Sequence, residues 1–156
     1  MKIVCGIIAV IICTFIGYAT SSKYSEKRKF YQSFSNFNKK LLYEVKFTKL
    51  SLVKILENYG NEKDDFISVM KERYIDDALK PYVKYKYLSD EENSFFCQYI
   101  DNIGRGDSAS QSVFLSGVEK YLESQLVSVT ENEKKYKALY VKLGFFIGLI
   151  VFVILL

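Results

Sequence analysis

The segment Tyr140–Leu156, YVKLGFFIGLIVFVILL, decides how the rest of the chain is read. From Leu143 to Leu156 there are fourteen residues without charge or proline, a helix of about 21 Å against a hydrocarbon core of roughly 30 Å. Starting the span at Ala138 gives nineteen residues and sets Lys142 one turn inside, where its stem carries the ammonium back to the headgroups. The segment therefore reads as a membrane anchor, and attention passes to the other end.

There, Ile3 to Ala19 runs for seventeen residues without charge, roughly 26 Å of helix. It reads as a retained anchor. A cleaved signal peptide is the alternative, with Lys2 as its basic flank and Ala19-Thr20-Ser21 as a small-residue cleavage site. Lys23, Lys27, Arg28 and Lys29 follow this span, and Lys134, Lys135, Lys137 and Lys142 border the other, against Lys2 alone beyond it. By the excess of cations on cytoplasmic flanks, the central domain is expected in the cytoplasm and both termini outside. Tyr18, Tyr24, Tyr136 and Tyr140 form an aromatic belt at the same interface.

This divides the chain into a transmembrane helix over residues 1–20, a cytoplasmic helical bundle over 21–137 and a transmembrane helix over 138–156. Small residues recur every four positions at Cys5, Ala9, Cys13 and Gly17, and Gly144 and Gly148 make a GxxxG pair. Such ridges let helix backbones approach closely, within one molecule or between two.

The middle is helical by period. With Pro81 its single proline, the chain favours long uninterrupted helices. Phe30, Phe34, Phe37, Leu41, Val45, Leu52 and Leu56 predict one amphipathic helix near 24–58, ended by Gly60. Asn61 is expected to cap a second helix, with Asp64 three residues on, carrying Phe66, Ile67, Met70, Tyr74 and Leu79 up to Pro81. The stretch PYVKYKYLS reads as a connector or short helix with inward tyrosines. Ser89 with Glu92 predicts a capping box for a third helix, ended by Gly104, and Ser108 with Gln111 predicts another. From Ser108 to Leu156 no proline intervenes, and the apolar stripe through Leu115, Val118, Leu122, Leu126, Val129, Tyr136 and Tyr140 breaks only at Glu133. The expected fold class is thus all-α, a helical bundle domain between an N-terminal and a C-terminal transmembrane helix.

The residues argue against catalysis. With no histidine, neither a serine–histidine nor a cysteine–histidine pair can be built, and Cys5, Cys13 and Cys97 offer neither a disulfide framework nor a metal site. Gly104-Arg105-Gly106 lacks the lysine–serine end of a phosphate-binding loop. The acid pairs Asp64-Asp65 and Asp76-Asp77 point about 100° apart on a helix and read as solvated. No enzyme activity, cofactor or metal is expected. Nucleic acid is not an expected partner either, because the basic excess, nine Lys/Arg against three Glu from Lys23 to Glu57, flanks a membrane segment and comes with no nucleic-acid motif.

The C-terminal KYKALYVKLGFFIGLIVFVILL resembles the end of the stage III sporulation protein AB family at Leu143, Gly144, Gly148, Leu149, Ile154, Leu155 and Leu156. NIGRGDSASQ is similar to that family's segment before its last helix, through Gly104, Asp107 and Gln111, and the first helix resembles it through Glu44, Val45, Phe47 and Leu52. The family's proline before that leucine is replaced by Ser51, which bears on the break between the first two helices. The resemblance implies a domain like the cytoplasmic domains of the type II secretion and type IV pilus platform protein. It implies a place in the mother-cell membrane of a spore-forming bacterium, in the mother cell–forespore channel complex beside other channel components. It also implies a cytoplasmic partner, an ATPase resembling stage III sporulation protein AA. Glu44, Gly104, Arg105, Asp107 and Gln111 are the expected partner-binding residues. The competing readings are an exported, membrane-anchored binding or sensor domain with a cleaved signal, and a scaffold forming homo-oligomers through a coiled coil, for which Phe30–Leu41 gives a short heptad-like stretch.

Overall fold

The computed structural model describes residues 2–47, 51–59, 65–75 and 84–155. Among them 89% are helical and none forms a strand. The helices are α1 (Lys2–Phe47), α2 (Leu52–Glu57), α3 (Asp65–Tyr74), α4 (Asp90–Asn102) and α5 (Ser108–Leu155). They form two compact units, residues 1–28 with 127–156, and residues 29–126. Both α1 and α5 contribute to each.

The expected single helix over 24–58 is corrected in two ways. Its beginning lies inside the 46-residue α1, and its end is cut off as α2. Ser51 adopts extended angles, φ −68° and ψ 147°, and its hydroxyl accepts from the Lys54 amide, so it caps a new helix rather than continuing the old one. The proposed cap at Asn61 with Asp64, and Gly60, Leu79 and Pro81, lie outside the described residues.

Within 29–126 the core is aromatic. Phe30, Phe34 and Phe37 from α1 meet Phe66 from α3 and Phe96 and Tyr99 from α4, all of them buried, as is Met70 of α3. Phe34 stacks on Phe66 at 4.9 Å between ring centres and meets Tyr99 edge-on at 4.6 Å. Edge and offset contacts of this kind add to the burial of large rings. Tyr85 and Leu88 of the connector are buried too, and Asn93 holds them there. Its Oδ1 accepts from the Tyr85 amide at 3.0 Å, while its Nδ2 donates to the Tyr85 and Ser89 carbonyls at 3.2 and 2.9 Å. The capping box of α4 forms as expected: the Glu92 amide donates to Ser89 Oγ at 3.2 Å, and the Ser89 amide to Glu92 Oε2 at 2.7 Å.

In the other unit, α1 and α5 run antiparallel along a seam of small residues. Their outward faces stay apolar and exposed, as with Phe15, Ile16, Phe146 and Ile154. Each helix contains a stretch long and apolar enough to cross a membrane.

Candidate docking surface

Helix α4 stops where Gly104 takes φ +75°, a left-handed angle that glycine adopts without a Cβ clash, and Gly106 follows at +93°. The next helix is not capped as expected. Asp107, not Ser108, supplies the cap: its Oδ1 accepts from the Ser110 amide at 2.9 Å. Hydrogen bonds from the Ser110 side chain and amide hold the Asp107 carboxyl below its ordinary range. With the cap at Asp107, Ser110 holds the third helical position and Gln111 is one residue too far along to complete a box. It is buried and turns back instead, accepting from the Gly104 amide at 3.2 Å and donating to the carbonyls of Asn102, at 3.0 Å, and Arg105. One side-chain amide thus braces the whole turn between α4 and α5.

The braced turn forms one wall of a cleft of about 260 Å³, lined by Leu52, Tyr74, Ile100 and Ile103 with Arg73, Asp101, Gly104 and Arg105. The Tyr74 hydroxyl donates to the Ile100 carbonyl, pinning the end of α3 against α4. Arg105 is exposed at the edge. Of the five residues expected to bind a partner, Gly104 and Arg105 line this cleft, whereas Asp107 and Gln111 build the turn that carries them. Glu44 is half-buried on α1 and is not among the lining residues. Leu52, Arg73, Tyr74, Ile100 and Asp101 had not been singled out for the site, because their meeting depends on three separate elements. Among the described residues no cluster of His, Cys, Asp and Glu suits a metal ion.

The seam of the other unit has its own geometry. A Cβ on Gly144 would lie 2.5 Å from the Cys13 carbonyl oxygen, and one on Gly148 would lie 2.7 Å from the Val10 Cα. Gly17 faces the Tyr140 carbonyl, and Gly6 lies under the Phe152 ring. Cys13 and Ala9 are half-buried, while Cys5 is exposed and the buried neighbour at that level is Gly6. Beyond the seam, Glu133 accepts from the Ser25 hydroxyl at 2.5 Å and from the Arg28 guanidinium. Tyr24 stacks on Tyr136 at 4.8 Å. The break in the apolar stripe at Glu133 was the sequence's signal for this polar contact.

A family model described as Stage III sporulation protein AB matches residues 2–156. No curated protein and no solved structure matches the chain.

Proposed function

The chain belongs to the stage III sporulation protein AB family, and from that premise we propose that it is a non-enzymatic membrane component of the mother cell–forespore channel. In this reading its unit of residues 29–126 docks a cytoplasmic ATPase resembling stage III sporulation protein AA. The family ties the chain to sporulation, and two helices suited to cross a bilayer tie it to a membrane. The lysines flanking both spans support a cytoplasmic middle with both termini outside.

The observation that carries the docking reading is the braced turn with exposed Arg105 at the edge of a part-apolar cleft. An exposed cation carried on a braced backbone beside apolar surface suits recognition, since the turn loses little order on binding and an acidic partner residue can pair in a partly desolvated place. The platform role follows from the same picture, a helical unit presented at the membrane to an ATPase.

The test is a pull-down of the ATPase by the full chain in detergent. Arg105→Glu should weaken capture by about tenfold or more, the effect of reversing one interfacial charge. Tyrosine near-ultraviolet dichroism should stay unchanged, because the Arg105 side chain braces nothing. Capture equal to that of the unaltered chain would reject this surface.

A further inference from the structure

The formal charge of +4 is unevenly placed. Residues 29–126 hold 14 Lys/Arg and 15 Asp/Glu, whereas residues 1–28 and 127–156 hold 8 Lys/Arg and 3 Glu. The whole excess belongs to the unit with the apolar helices. Apart from Lys2, its cations occupy two short stretches, 23–28 and 134–142.

The antiparallel contacts show that residues 23–28 and 133–137 share one level, with Lys142 further along α5. Tyr24 meets Tyr136, Ser25 and Arg28 meet Glu133, and Lys137 Nζ lies 5.6 Å from the centre of the Tyr18 ring. Lys23 and Lys27 thereby fall level with residues near 132–137 of α5. Both helices bring lysines to a single collar just outside their uncharged stretches.

Arg28 and Glu133 compensate each other, and at this level Lys23, Lys134, Lys135 and Lys137 outnumber Glu26 and Glu131. Tyrosine faces support three of the ammonium groups: Lys23 over Tyr24 at 5.2 Å, Lys135 over Tyr136 at 5.8 Å, and Lys137 over Tyr18. A cation resting on a ring keeps N–H donors for an outside acceptor. At headgroup depth the abundant acceptor is a phosphodiester, and a surplus of cations favours lipids with net negative charge.

We propose that this collar is a binding surface for anionic phospholipid headgroups of the phosphatidylglycerol or cardiolipin class. The proposal rests on the reading of α1 and α5 as membrane-spanning and goes beyond it. Orienting a chain during insertion needs only a charge count; lysines from two helices at one level, set on tyrosine rings, make a standing surface for acceptors.

The full chain would be placed in mixed bilayers, and the lipids in contact with it read by electron paramagnetic resonance of spin-labelled phosphatidylglycerol and phosphatidylcholine. The anionic label should be preferred about threefold or more at low salt, falling toward parity near 1 M salt, where the screening length is about 3 Å. The triple change Lys134→Gln, Lys135→Gln, Lys137→Gln should at least halve the preference. Lys46→Gln, Lys54→Gln, Lys120→Gln, three exposed positions in the other unit, should leave it intact. Equal preference for both labels by the unaltered chain, a preference indifferent to salt, or equal loss in the two triple variants would overturn the proposal. Absence of any protein-restricted lipid would overturn the membrane-spanning reading along with it.

Discussion

The two units of this chain use apolar residues in opposite ways. Between Lys29 and Leu126 the large rings point inward, and Phe34, Phe37, Phe66 and Phe96 are each 0–1% exposed. Along α1 and α5 in the other unit they point outward, Phe15 at 68% and Phe146 at 59%, and the contact belongs to glycines. Water drives the first arrangement by expelling apolar surface. In lipid that drive is absent, because the surroundings are as apolar as the side chain, and pairing depends on close backbone approach instead. The same residue type is thus core in one unit and solvent-facing surface in the other.

The contrast is most strongly tested by one ring from each unit. Phe34→Ala should cost the 29–126 unit about 3–5 kcal/mol, the loss of a buried ring plus the cavity left behind. Phe146→Ala, an equal loss of atoms from an exposed position, should cost its own unit less than about 1 kcal/mol. Urea unfolding of the full chain in mild detergent, followed by tyrosine dichroism, measures both. Comparable losses would erase the distinction.

The reverse experiment adds atoms where the seam has none. Gly144→Leu sets a side chain against the Cys13 backbone and should cost about 1–3 kcal/mol of helix pairing, as overpacking does. Hydrogen exchange should quicken at residues 5–17 and 139–152 and stay unchanged in α4. Faster exchange throughout would mean that the two units are not held by separate means.

Part of this was legible in the sequence. The two apolar stretches, the Ser89–Glu92 box, the stop at Gly104 and the unbroken last helix follow from local signals, since charge, capping and glycine angles act over a few residues. The break at Ser51 was hidden because Leu52 and Leu56 continue the apolar period across it, and a period does not register a cap. At the start of α5 two adjacent residues can cap, and only the inward turn of Gln111 decides for Asp107. Nothing local in the sequence marks Asn93 and Asn38 for burial. Both are buried, because Asn93 satisfies the connector's backbone and Asn38 donates to the Leu115 carbonyl at 3.0 Å. The cleft had no local signature at all, since Leu52, Tyr74 and Ile100 come from three elements.

The smallest effect sits where the apolar stripe of α5 breaks. The Glu133 side chain is 14% exposed beside an Arg28 side chain at 34%. Burial alone would push its carboxyl up, but hydrogen bonds from Ser25 and Arg28 and the charges of Arg28 and Lys137 outweigh it, leaving the group below its ordinary value of 4.5. A carboxyl whose folded value is lowered stabilises fully above the unfolded value and loses that contribution as pH falls through the folded one. Glu133→Gln should therefore lower the thermal midpoint slightly at neutral pH, with an ion pair of this exposure contributing below about 1 kcal/mol. The gap between variant and unaltered chain should close as pH falls below 4.5. The unaltered chain is the reference at each pH because Asp90 and Asp107, both also lowered, titrate in the other unit over the same range and shift the two midpoints together. A gap that persists unchanged through the acid range would mean that Glu133 acts by shape and hydrogen bonding rather than by charge. The pairing of α1 with α5 would then rest on close packing along its whole described length, polar end included.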